Sequence, residues 1–277
     1  MQRGAGMYKL LSILLIAAVP LTAEIVTQEE QFSIFGDNLT FDLTIDGGKI
    51  QVLPSRSKTE CRVSMQYPKE KCRVDIRYNE KRGRIAVFID FKRWNMEEEE
   101  APNAIVELPY GPEISFSAHI KAGKTQFVLG GLKIADFQLR HWAGETFVDF
   151  SEPNLTIMRF FDVNVKVGEM TLHNVGNARY EEGEINSGIG ELFVDFKGES
   201  VDRCVTRIDL NIGETTIVLP ESVGTKIRVS KFISELQVPD WLIRRGEYYY
   251  SEDYEESKRQ HYLLLSNGIG SIKILRE

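Results

Sequence analysis

The chain has 277 residues, 42% of them hydrophobic and 27% charged, with a formal net charge of −7 and three cysteines. That length allows one large core or two small ones, and the acidic balance argues against a nucleic-acid surface or unassisted contact with anionic lipid. There is no low-complexity tract, and 22 glycines beside three tryptophans point to turn-rich β structure.

Residues 1–23 stand apart. Arg3 and Lys9 give a basic start, LLSILLIAAV runs from Leu10 to Val19, and PLTA ends at Ala23. This is the order of a secretory signal peptide cleaved before Glu24, and the apolar run falls short of the ~20 residues of a membrane span. An uncleaved membrane anchor is the alternative. The expected location is therefore outside the cytoplasm: periplasmic, cell-surface or secreted.

Residues 24–112 read as an antiparallel hairpin region that caps the repeats C-terminal to it. TFDLTIDGGKIQV, with Gly48, resembles an outlying copy of the later repeats, and residues 61–94 alternate apolar and basic positions between turns. In MQYPKEKC, Pro68 suits the second position of a turn. A hairpin centred on Pro68 and Lys69 would set Met65 opposite Cys72 and Ile76 opposite Cys61. The two cysteines would then lie ~13 Å apart, beyond the ~7 Å a disulfide tolerates, so free buried thiols are expected. NMEEEEAPN, residues 95–103, reads as a solvated acidic loop.

Residues 113–277 repeat one phrase: IKAGKTQFVL, HWAGETFVDF, VKVGEMTLHN, SGIGELFVDF, LNIGETTIVL and NGIGSIKIL. Their glycines are Gly123, Gly144, Gly168, Gly190, Gly213 and Gly270, the first five separated by 21, 24, 22 and 23 residues. A period near 22 with strict alternation on both sides of the glycine predicts an all-β, single-stranded solenoid, each coil burying its face against its neighbours. The residues before each glycine (Ala122, Ala143, Val167, Ile189, Ile212, Ile269) are expected inside, with glycine making a corner by positive φ. LGGLK, SEPNL and NVGNA mark a second corner. PDWLIRRGEYYYSEDYEESKRQHY interrupts the repeat, and LLLSNGIGSIKIL is expected to close it.

With those residues in hand, the chain resembles the toast-rack family of bacterial envelope proteins, which includes the extracytoplasmic domain of Lia-type regulators of cell-envelope stress. The match lies in the corners at Gly123, Gly144, Gly190 and Gly213 and in the terminal YYYSEDYEESKRQHYLLLSNGIGSIKI. The resemblance implies a β-solenoid and a non-enzymatic role in envelope sensing, adhesion or scaffolding. The transmembrane segments of those regulators have no counterpart in this chain.

Chemistry is sparsely signalled. No zinc-type histidine motif, phosphate loop or nucleophile elbow is present, and nothing calls for a cofactor or metal. Stacked coils would align Lys124, Glu145, Glu169, Glu191 and Glu214 in one column, as a solvated corner or, alternatively, a cation-binding one. A second column holds Asp149, His173 and Asp195, with the carboxylates roughly 9–10 Å apart, the outer limit for an inverting glycosidase. These three are candidate ligand-binding residues or, in the alternative reading, the centre of a polysaccharide-cleaving enzyme. Trp241, Tyr248, Tyr249 and Tyr250 form an aromatic group that could stack on sugars or cover the last coil. The function expected is an exported, non-enzymatic binding, adhesion or scaffolding module. Its partners would be an envelope protein, a cell-surface polysaccharide, or a second copy at an open solenoid edge.

Overall fold

The computed structural model describes residues 24–92 and 100–277. Residues 1–23, where the signal peptide is expected, and residues 93–99, with most of the acidic loop, lie outside the described residues. The fold is all-β. Its body is a run of long parallel strands, neighbour to neighbour: β2 (Asn38–Pro54), β7 (Glu113–Val128), β8 (Ile134–Asp149), β9 (Phe160–His173), β10 (Glu182–Asp195), β11 (Arg203–Leu219) and β15 (Gln260–Arg276). In every one of these pairings the corner glycines face each other, from Gly48 opposite Gly123 to Gly213 opposite Gly270.

Geometry dictates glycine there. Along the column Gly123, Gly144, Gly168, Gly190, Gly213, Gly270, φ lies between 126° and 142°, and an added Cβ would fall 1.8–2.0 Å from the carbonyl oxygen of the preceding strand's glycine. A side chain is thus excluded by torsion and by contact together.

The corner corrects one sequence expectation. In β7 the inward residues are Ile120 and then Thr125, and the four between them face away from the core or sit at its margin. The residues before the glycine are therefore outward, and Val167, Ile189, Ile212 and Ile269 are exposed. Alternation holds along each straight arm, but a positive-φ residue resets which face the next side chain takes.

Inside, aromatic rings form a ladder. Phe41, Phe116, Phe137 and Phe161 stack at 5.6, 5.7 and 5.9 Å between centroids. On β10 the equivalent position is Gly183, and the Tyr180 ring takes the vacant place, 4.8 Å from Phe161. A Cβ on Gly183 would meet that ring at 2.6 Å. At the second corner buried Asn154 bridges coils, accepting from the Ile134 amide and donating to the Ile134 carbonyl, both at 2.8 Å.

The N-terminal residues supply split arms rather than a simple hairpin. β5 (Arg84–Phe91) lies parallel along the first arm of β2 and β6 (Asn103–Leu108) along its second. β4 (Cys72–Asn79) adds antiparallel to β5, β3 (Glu60–Pro68) to β6, and β1 (Ile25–Ser33) to β3. The expected β3–β4 hairpin is therefore corrected. The chain does turn at Pro68, whose carbonyl accepts from the Lys71 amide at 3.0 Å, but the flanking strands enter different ladders. Cys61 faces Phe32 and Cys72 faces Phe91. All three cysteines are buried and none is in a disulfide, as expected, though for a different geometric reason.

The C-terminal order is also a correction. β12 (Gly224–Gln237) pairs parallel with β15 on the side away from β11, so the last repeat is slotted in as the penultimate strand. Opposite Gly270 on β12 stands Ser234, whose hydroxyl donates to the carbonyls of Asn267 and Gly268 at 3.3 and 3.1 Å. β13 (Leu242–Arg245) and β14 (Tyr248–Ser251) form a hairpin that covers β12 at residues 226–228 only.

Candidate functional site

The structure brings Asp149, His173 and Asp195 together on the ends of β8, β9 and β10. His173 Nδ1 lies 3.9 Å from Asp195 Oδ2, and its ring sits between Phe147 and Phe193 at 5.5 and 5.2 Å. Each carboxylate is already tied down. Asp149 accepts from the Asn174 amide at 2.8 Å, and buried Asp195 accepts from the Lys197 backbone amide at 2.9 Å. The larger concave surfaces of the molecule are lined by other residues. Both carboxylates are thus engaged with the loop residues that follow the strands.

The aromatic group divides in two. Tyr248, Tyr250 and Tyr262 surround the Lys226 ammonium, with Nζ 4.3, 5.7 and 4.9 Å from their centroids. Their faces are occupied by the protein's own cation. Trp241 lies beneath the Arg276 guanidinium at 4.9 Å. Tyr249, one residue along an alternating strand, takes the other side and packs against the core.

Tyr249 leads to a groove of about 1000 Å³ where the β13–β14 hairpin parts from β12. Arg207, Arg228, Arg244, Asp209, Glu247 and Tyr249 line it. Arg228 pairs with Glu247 at 2.9 Å, while Arg207 reaches Glu184 at 3.1 Å. Burial raises the Asp209 carboxyl above its ordinary range, against hydrogen bonding from Ser266 and the charge of Arg207. Guanidiniums, carboxylates and an aromatic face around an open groove suit recognition of a polar, charge-bearing chain. Sequence reasoning reached only Tyr249. The others come from β11, β12, β13 and the turn before β14 and share no motif, so spacing carries no signal for them.

One buried cluster has the elements of a nucleophile site without its chemistry. Cys204 and His261 are opposite each other on β11 and β15, and Thr206 lies 2.8 Å from both the His261 Nε2 and the Tyr180 hydroxyl. Burial pushes the Cys204 thiol up to about 12 and the His261 imidazole down to about 3. A neutral thiol beside a weakly basic imidazole is a poor nucleophile pair. The adjoining cavity, about 10 Å³, has room for one water at most.

The expected glutamate column is present and exposed at the corner, with Lys124 paired to Glu145 at 2.8 Å. Among the described residues no group of three or more histidines, cysteines or acids could hold a metal ion. No helix among them is long and apolar enough to cross a membrane.

Comparison with known proteins places part of the chain. Residues 35–159 match the family model for the N-terminal domain of toast_rack, DUF2154. No curated protein matches the chain. Among solved structures, a candidate cell adhesion protein from Clostridium sporogenes shares 15% identity at a TM-score of 0.45, covering 91% of this chain and 100% of its own. A candidate adhesin from Bacteroides fragilis shares 11% at 0.33, covering 92% and 98%. A candidate lipid-binding protein from Parabacteroides distasonis shares 10% at 0.34, covering 91% and 96%. At identities and TM-scores this low the likenesses carry no functional weight.

Proposed function

From a chain whose residues 35–159 belong to the toast-rack N-terminal domain family, we propose an exported, non-enzymatic binding or adhesion module of the bacterial envelope. Residues 1–23 act as its export signal, residues 24–112 cap the stack apart from β2, whose Gly48 begins the glycine column, and residues 113–277 continue it as a solenoid of coils of about 22 residues. The observation that carries the reading is the arginine- and tyrosine-lined groove at the C-terminal end. It is large enough for several residues of a polymer. The partner class is an envelope protein or a cell-surface polysaccharide, and a part in envelope stress sensing follows if that partner is a regulator.

The test is a crosslinked pull-down from intact envelopes with residues 24–277 as bait, run beside an Arg228→Ala/Tyr249→Ala variant. Enrichment of one protein or of glycan fragments, lost with the variant, supports the reading. Equal recovery by both baits removes the groove from it. Recovery of bait alone would replace it with a structural role.

A further inference from the structure

The outward turn of the corner leaves a ridge. Val167, Ile189, Ile212, Ile269 and Ile233 pair directly, in that order, across β9, β10, β11, β15 and β12. They are 47, 50, 44, 46 and 62% exposed, and Phe232 beside the last is 81% exposed. At ~4.8 Å per strand the ridge is about 19 Å long. Its exposed apolar area is on the order of a few hundred Å², in the range where patches on soluble proteins tend to be functional. Two residues beyond each ridge position, past the glycine, stand Glu169, Glu191, Glu214 and, on β12, Glu235, all exposed. None of these four forms a salt bridge among the described residues. The opposite flank, Lys166, Gly188, Asn211 and Gly268, carries a single charge.

We propose that this ridge docks a basic amphipathic helix of a partner protein. Charge and spacing decide the occupant. An apolar line bordered on one side by four carboxylates complements a segment whose apolar stripe is bordered by Lys or Arg. A helix presents same-face residues once per turn, about 5.4 Å, within about 0.6 Å of the ridge repeat. A strand presents them about 6.7 Å apart and falls out of step by about 2 Å at each position. A length of 19 Å corresponds to about 13 helical residues. A second copy of the chain would bring two acidic columns into one interface, and an anionic lipid surface would be repelled by the same column. None of the ridge residues lines the C-terminal groove.

The probe is a fluorescein-labelled 14-residue peptide of leucine and lysine at heptad spacing, titrated against the intact chain at physiological salt. Its controls are a scrambled peptide of equal composition and a leucine–glutamate counterpart. The expected result is micromolar binding with a gain of helical circular dichroism and amide-exchange protection at residues 167–169, 189–191 and 212–214. Ile189→Thr/Ile212→Thr, which keeps β-branching at half-exposed positions, should weaken binding at least tenfold. Glu191→Gln/Glu214→Gln should weaken it severalfold and flatten its salt dependence, and tests the idea even if the isoleucine variant is poorly folded. Equal binding of the scrambled or acidic peptide, or protection elsewhere, overturns the proposal. So does ridge-dependent self-association in light scattering, or ridge-dependent flotation with neutral phosphatidylcholine vesicles, each of which names a different occupant.

Discussion

Acidification from pH 7.5 to 5 should destabilise the fold by several kcal/mol through two buried histidines. His141 on β8 is fully enclosed, with Nδ1 2.8 Å from the Thr146 hydroxyl and no partner for Nε2. His261 is enclosed on β15 against Phe196 and Thr206. Burial pushes the first down to about 4 and the second to about 3. Both folded values lie below the ~6.5 of an unfolded chain, so the unfolded state binds the proton first. Their contribution is complete above about pH 6.5 and is lost as the pH falls towards the folded values, levelling off below them. At pH 5 the unfolded imidazoles are almost all charged while the folded ones stay neutral, which costs about 2 kcal/mol for each histidine. About 4 kcal/mol in all is a large share of the 5–15 kcal/mol that holds a typical domain together. Asp162 and Asp209, raised by burial, work in the opposite sense and trim the total. Urea unfolding at the two pH values, on the parent, His141→Gln and His261→Gln, measures it. Each variant should lose about 2 kcal/mol of the pH dependence, with m unchanged. An imidazole that titrates near 6.5 in the folded protein, or variants with the parent's full pH dependence, would refute the reasoning.

Gly190→Ala puts a Cβ 1.9 Å from the Gly168 carbonyl at a φ of 142°, and should cost more than about 2 kcal/mol in thermal unfolding. Gly246→Ala, at φ 64° with nothing within 4 Å of the added carbon, should cost only about 1 kcal/mol. Similar losses for the two would show that torsion, not the stacked carbonyl, sets the corner. Tyr180→Ala empties a place in the aromatic ladder and should cost about 3–5 kcal/mol, whereas Tyr180→Phe forfeits the hydroxyl's contacts with Thr206 and Cys204 and should cost about 1–2 kcal/mol, by the same assay. The thiols of Cys61, Cys72 and Cys204, pushed up to about 12, 11 and 12, should be inert to a disulfide reagent at pH 8 and all react once urea unfolds the chain. Rapid reaction in the folded protein would contradict their burial.

Much of the architecture was legible because the corner forbids everything but glycine. A position where a Cβ would strike a carbonyl on the neighbouring strand leaves a mark that recurs once per coil, and Gly123 to Gly213 could be counted directly. Where the chain solved the corner another way, the mark disappeared. β12 went unrecognised because Ser234, with φ outside the positive range, turns the chain with a side chain that bonds back to Asn267 and Gly268. Its loss from the pattern also hid the true order of the last two strands. The local turn at Pro68 was read correctly and its strands were paired wrongly, since a turn fixes direction while partners are chosen by distant arms such as β5 and β6.

The candidate sites divide in the same way. Asp149, His173 and Asp195 could be aligned by counting from the glycines, because in-register stacking makes column position a local property. Knowing that Asn174 and the Lys197 amide occupy the two carboxylates required the loops beyond the strands. The groove was hidden for a stronger reason: Arg207 and Arg228 face the same residue, Leu264, from the two sides of β15, whose insertion between β11 and β12 is a non-sequential step that no spacing rule encodes. The ridge was visible as a column in the repeats and was assigned to the wrong side. Branched apolar residues recurring beside a glycine look like core, and alternation carried unbroken through the corner would put them there. The positive φ of that glycine reverses the assignment. A residue type retained down a stack where the core does not need it is the kind of excess that a binding partner would explain, which is why the isoleucine substitutions at 189 and 212 should change docking far more than they change stability.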